Sequence, residues 1–198
     1  MSTFAINAHA DGIQAIAYNV PGSTAYNVPT LGNTPGQGAT VEATFTASAI
    51  NFSGDSNYSL GGFLNSFGAA SNITYMNGYS ATSSLTNTLF EFTGTAYFVN
   101  GQTFNVYHDD GVNLYVDGVN VLSQPNTTSP ITTPYTYNGA TGNHSFDFIY
   151  ANGPPTQADF QTNLVTATTV AATPEPSSFA LLGTGVLGAL GILRRRFV

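Results

Sequence analysis

Two shortages bound this 198-residue chain before any motif is read: it has no cysteine, and its only strongly basic residues are three arginines. Without cysteine there is no disulfide, no cysteine-ligated zinc and no thiol catalysis. Residues 1–193 contain no Lys or Arg, so salt bridges with either are impossible there, and only His9, His108 and His144 can carry positive side-chain charge. Nucleic acid is excluded as a partner, because phosphate is neutralised mainly by Lys and Arg and an acidic surface repels it. Anionic lipid headgroups are disfavoured for the same reason. Divalent cations stay open, since an acidic cluster relieves its own repulsion by binding one. Long helical periodicity is also missing before Phe179.

What the chain does have is Ser, Thr, Asn and Gly in abundance, with 11 Tyr and 14 Phe. The aromatics recur at alternating positions suited to a buried sheet face, which marks an exported β-rich body rather than a disordered one. About 170 residues suffice for one self-supporting core. Residues 11–40 read as an edge strand followed by Pro- and Gly-rich turns, and Val41–Phe52 has half-buried strand periodicity. Residues 54–84 are loop-rich, with turns at Gly61-Gly62 and Asn77-Gly78. The segments Phe90–Phe98, Thr103–His108, Val112–Val116 and Val119–Leu122 are separated by Asn100-Gly101, Asp110-Gly111 and Asp117-Gly118. Such dipeptides suit tight hairpins, so a meander is expected here. A polar loop over 123–134 leads to Tyr135–Asn138. A strand His144–Tyr150 follows, with His144, Phe146, Phe148 and Tyr150 on one face. The fold expected is all-β, an antiparallel jelly-roll-like β-sandwich ahead of one C-terminal transmembrane helix.

The three arginines, Arg194, Arg195 and Arg196, stand directly behind the apolar run Phe179–Leu193, which itself follows Pro174-Glu175-Pro176. Positive charge just past an apolar segment favours the cytoplasmic side, which places everything before Phe179 outside. Residues 177–193 would rise about 25 Å as a helix, short of a bilayer core of about 30 Å, and snorkelling arginines with local thinning accommodate the difference. Pro174, Glu175 and Pro176, then the apolar run, then Arg194–Arg196 resemble the PEP-CTERM sorting signal of exported bacterial proteins. The resemblance implies that an exosortase recognises the Pro-Glu-Pro region and removes the helix and basic end, delivering the cargo to the cell surface or extracellular matrix. At the other end, Met1–Asn7 lacks a basic and an apolar region, yet Ala8-His9-Ala10 has the small-x-small form of a signal-peptidase site. Residues 1–10 therefore read as the remnant of a signal peptide whose start lies upstream. Residues 11–168 are the body, 169–176 a linker with Pro-Glu-Pro, 177–193 the transmembrane helix and 194–198 the basic cytoplasmic end.

The chemical candidate is His108-Asp109-Asp110-Gly111, followed by Val112–Val116 and Asp117-Gly118. Adjacent carboxylates at a strand end repel each other and gain from a hard, oxygen-seeking cation such as calcium. The alternative is a plain hairpin turn with solvated carboxylates, since Asp is a favoured turn residue. With Gly142-Asn143-His144 downstream, residues 88–165 resemble the protective-antigen-type (PA fourteen) β-sandwich domain. In its sugar-binding members, the resemblance implies, the pair matching Asp109 and Asp110 holds calcium and the ion binds sugar hydroxyls. The family's second-loop ligands have no clear match; Asn152 is the position considered. His108 and His144 could share a face, but His108 fits a packed or hydrogen-bonded strand end better than a transition-metal ligand. No G-x-S-x-G occurs, and no Glu sits in a recognisable glycosidase setting.

The reading that follows is a non-enzymatic exported surface or matrix protein, inserted in the inner membrane until processing and binding extracellular glycan through calcium. A ligand-free structural matrix protein and a polysaccharide-acting hydrolase are the alternatives.

Overall fold

In the computed structural model, residues 12–54, 58–153 and 157–164 are described. The longest pairing joins β5 (Thr88–Phe98) to β10 (Gly142–Asn152), antiparallel along their whole lengths. Every second residue here is large and apolar, so Phe90, Phe92, Phe148 and Tyr150 all point to one side and are fully buried. Gly94 stands opposite Phe146, and a Cβ there would meet the Phe146 ring at 2.9 Å. Around this pair are β1 (Ile13–Asn19), β2 (Thr40–Ala47), β4 (Ala70–Tyr75), β7 (Val112–Val116) and β8 (Val119–Gln124), giving the seven-stranded order β4-β2-β1-β5-β10-β7-β8. A four-stranded sheet, β3-β11-β6-β9, comprises β3 (Asn51–Ser53), β6 (Thr103–Asp109), β9 (Ile131–Thr136) and β11 (Asp159–Thr162). All the pairings are antiparallel among the described residues, so the body is the two-sheet sandwich expected.

Aromatic rings fill the interior. Phe160 stacks on Tyr150 at 4.7 Å and contacts Phe92 and Phe148, while Phe63, on the short helix α2 (Leu60–Asn65), stacks against Phe52 at 5.3 Å. Each fully buried Phe contributes about 2–3 kcal/mol of transfer free energy, so this cluster outweighs any single polar contact in the body. A second, smaller apolar cluster lies on the other side of the seven-stranded sheet. There the segment after β1, which includes the one-turn helix α1 (Gly22–Ala25), lays Val20, Ala25 and Val28 over Leu89, Tyr115, Ile149 and Ala151. Asn113 secures it by donating to the carbonyls of Val28 and Pro29 at 3.3 and 3.2 Å.

Several local expectations are corrected. There is no meander over residues 90–122: β5 and β7 belong to one sheet and β6 to the other, so the chain crosses the sandwich at Asn100-Gly101 and again at Asp110-Gly111. Of the three turn dipeptides only Asp117-Gly118 makes a hairpin, with φ of 49° and 77° and β7 paired to β8. β1 is an interior strand between β2 and β5, which is tolerated because Pro21 falls after its last residue. Gly61-Gly62 lies inside α2, whose start is capped by Ser59 accepting from Gly62 N at 3.1 Å. The polar loop ends early, because Ile131–Pro134 begin β9; Pro134 fits there because β9 is an edge strand of its sheet. The strand β11 had no counterpart in the sequence reading.

The positions expected for the signal-peptide remnant (1–10), the linker, the transmembrane helix and the basic end lie outside the described residues. Among the described residues no helix is long and apolar enough to cross a membrane.

Candidate functional site

Asp109 ends β6 and Asp110 begins the crossover to β7, so both leave a strand that is packed on its inner face and enter the seam between the sheets. They are 4% and 1% exposed and joined by a cis peptide bond. The plain-turn reading fails on both counts, since the two carboxylates are not solvated and no hairpin forms. Gly111 lets the backbone pass under the neighbouring loop: a Cβ would meet the Pro125 carbonyl oxygen at 2.5 Å. The pair is held from all sides. Asp110 accepts from Thr128 N at 3.2 Å with one oxygen and from Gly153 N at 2.9 Å with the other. The Tyr150 hydroxyl donates to the Asp109 carbonyl oxygen. Burial raises the Asp110 carboxyl above its usual range, against the opposing pull of the hydrogen bonds with Gly153, Thr128 and the Asp109 side chain and of the His108 charge.

His108 is a buried strand-end anchor. Its Nδ1 donates to the Asp110 carbonyl oxygen at 2.6 Å, and burial lowers its pKa, so the ring is neutral and Nε2 accepts from the Thr133 hydroxyl at 2.9 Å. His144 is on the other sheet, so the two histidines share no face. Its Nδ1 lies 2.6 Å from Asp117 Oδ2 and its Nε2 2.8 Å from the Ala140 carbonyl oxygen. Both partners only accept, so both ring nitrogens donate and the imidazole is cationic. Asp117 raises the His144 pKa through this hydrogen bond, and His144 in turn lowers that of Asp117. Ser145 Oγ donates to Asp117 Oδ1 at 3.0 Å. Ser, His and Asp meet here without forming a catalytic triad, because the serine bonds the carboxylate and the imidazole faces a carbonyl.

Beside Asp109 and Asp110 opens a cavity of about 420 Å³, walled by Thr127–Pro130 and Gln157. Asn152 lies one residue before the Gly153 amide that Asp110 accepts. Its Nδ2 donates to the Tyr58 hydroxyl and, at 2.9 Å, to the Leu85 carbonyl, while its Oδ1 is buried with no hydrogen-bond partner. The side chains that line the cavity offer oxygen ligands, which suit a hard cation, and the Asn152 amide oxygen lies outside that lining. Among the described residues no three His, Cys, Asp or Glu side chains are placed to hold a metal, so a cation at this pair would need amide, hydroxyl or main-chain oxygen as well. The loop residues Thr127–Pro130, Gln157 and Tyr58 were not legible in advance; they arrive by pairing that carries no local signal.

These features define the class: a two-sheet antiparallel β-sandwich with a buried Asp-Asp pair at a crossover beside a loop-walled cavity. Its fold is that of PA14 domains. The PA14 domain of the MpAFP antifreeze protein matches with a TM-score of 0.56 at 20% identity, over 87% of this chain and 90% of that one. The PA14 sugar-binding domain from an RTX adhesin matches with a TM-score of 0.51 at 20% identity, over 77% and 87%. No curated protein matches the sequence. The particular signature of this chain is at its end, where residues 172–196 match the PEP-CTERM protein-sorting motif. That motif, which includes Pro174, Glu175, Pro176 and Arg194–Arg196, marks the protein for exosortase processing, export and sorting to the cell surface.

Proposed function

We propose that this protein is a non-enzymatic surface or matrix protein whose sandwich binds extracellular glycan through a calcium ion at Asp109 and Asp110. The observation that carries the reading is the burial of two adjacent carboxylates, beside a cavity, in a body without Lys or Arg to neutralise them. Burying two adjacent carboxylates is costly, and a cation from solution relieves that cost. Asp109 and Asp110, with amide, hydroxyl or main-chain oxygen beside them, would hold the ion, which when bound offers open coordination positions to sugar hydroxyls. The sugar-binding adhesin domain among the structural neighbours supports this assignment. Residues 177–193 would span the inner membrane until the exosortase cuts near Glu175.

The test compares melting of the full-length chain in mild detergent with calcium and with chelator. A ligand at 100 times its Kd adds about 2.7 kcal/mol, and each kcal/mol moves a body of this size by about 2–4 °C, so a rise of several degrees is expected. Asp109→Asn with Asp110→Asn should erase it, along with calcium-dependent glycan-array binding. Equal melting in both conditions with a blank array would replace this reading by a ligand-free structural protein. Polysaccharide turnover lost on one carboxylate substitution would replace it by a hydrolase.

A further inference from the structure

On the opposite side of the seven-stranded sheet from the aromatic core lies a second pair of carboxyls, assembled from different strands. Asp147 of β10 faces Thr93 of β5 and Tyr115 of β7 directly across the ladder, and Glu91 lies two residues along β5 from Thr93. Glu91 and Asp147 hydrogen-bond to each other, and the Tyr18 hydroxyl of β1 donates to Glu91 Oε2 at 3.2 Å. Carboxyls in hydrogen-bond contact share a proton, which leaves the pair with one net negative charge. The Asp147 carboxyl is accordingly pushed up to about 7, by burial first and the Glu91 charge second.

Two polar atoms of this group are buried and unpartnered: Asp147 Oδ1 and the hydroxyl of Tyr115, a residue only 5% exposed. Both residues line one cavity of about 240 Å³, together with Leu31, Thr93 and Ser145. No Lys or Arg exists among residues 1–193 to fill it, and His144, next to Ser145 in the chain, is bound to Asp117.

We propose that this cavity binds the ammonium group of an amino sugar, with Asp147 Oδ1 and the Tyr115 hydroxyl accepting its N–H bonds and Thr93 and Ser145 meeting the ring hydroxyls. A single positive charge matches the single negative charge of the proton-sharing pair. A neutral sugar would leave the charge unanswered. A lysine stem offers nothing to the two rim hydroxyls. The site lines a different cavity from Asp109 and Asp110 and does not depend on calcium there.

Calorimetric titration of the full-length chain in mild detergent with glucosamine, glucose, N-acetylglucosamine and calcium chloride tests it. Glucosamine should bind at least about tenfold more tightly than glucose or N-acetylglucosamine, the difference that one charge-assisted contact supplies. Asp147→Asn should remove that preference, whereas Asp109→Asn with Asp110→Asn should keep it. Tyr115→Phe, which retains the packed ring, should weaken glucosamine alone; it serves as the second probe if Asp147→Asn does not fold. Equal binding of glucosamine and glucose, or a preference unchanged in both variants, overturns the proposal. So does calcium binding that survives in the Asp109→Asn, Asp110→Asn protein and disappears with Asp147→Asn.

Discussion

Two carboxyl pairs divide this sandwich between them, and they solve the same electrostatic problem differently. Asp109 and Asp110 are neighbours in sequence, buried in the seam between sheets, with Asp110 receiving backbone N–H bonds from Thr128 and Gly153. Glu91 and Asp147 are brought together only by the β5–β10 ladder, on the outer face, and are hydrogen-bonded to each other. With no Lys or Arg in the body, both pairs hydrogen-bond within themselves, and Asp110 draws on main-chain donors as well. The main-chain donors of the first favour its charged form, the form an ion would meet. In the second, burial and the Glu91 charge raise Asp147 together, which ties the outer face to pH.

The largest blow to the comparison should come from Gly111→Ala. Its Cβ would lie 2.5 Å from a backbone oxygen that cannot step aside, so the crossover carrying Asp109 and Asp110 must shift. We expect a loss of about 3 kcal/mol by urea denaturation, with loss of any calcium response, while glucosamine binding on the outer face persists. An intact calcium response in this variant would separate the Asp pair from the crossover geometry.

A smaller effect should sharpen the outer-face half. Asp147 has a folded pKa raised from 3.8 to about 7, so between those values the folded state holds more protons than the unfolded one and stability falls as pH rises. Asp147→Asn cannot lose a proton. Relative to the parent it should gain about 1–2 kcal/mol on going from pH 4 to pH 8, after allowance for solvent screening at this half-buried position. Denaturant midpoints for both proteins at the two pH values give the answer, and a constant difference would show that the carboxyl is not sharing a proton.

The smallest effect belongs to the Asp117–His144 clamp, where a stabilising contribution fades as pH rises. His144 has its pKa raised by Asp117, so the contribution is full below the unfolded value of 6.5 and is lost as pH rises through the raised folded value. Asp117→Ala should lower the melting temperature at pH 6 and change it less at pH 9. An equal drop at both would assign the loss to the Ser145 hydrogen bonds instead.

Much of the sandwich was readable from alternation alone. The periods of Phe90–Phe98 and His144–Tyr150 gave strands and inward faces, because a side-chain period of two is a local property of extended backbone. The Asp109-Asp110 site was visible because its members are adjacent. Its burial was not: Asp-Gly reports a turn, and a turn is equally compatible with a hairpin and with a crossing between sheets. Asn152 could be considered from its position, but its orphaned amide oxygen depends on Tyr58 and Leu85, which are far away in sequence.

What the amino-acid order determined unaided is whatever depends on composition or on neighbours in the chain: the lack of thiol chemistry, the mostly β body, the adjacent acids and the Pro-Glu-Pro, apolar, arginine tail. Tertiary structure alone decided which strands pair, that β6 leaves one sheet for the other, and that Glu91 meets Asp147. Turn residues set backbone angles over two positions, whereas pairing and burial are set by contacts among segments tens of residues apart. The pKa values of the acids follow from those contacts and so appear only once the chain has folded.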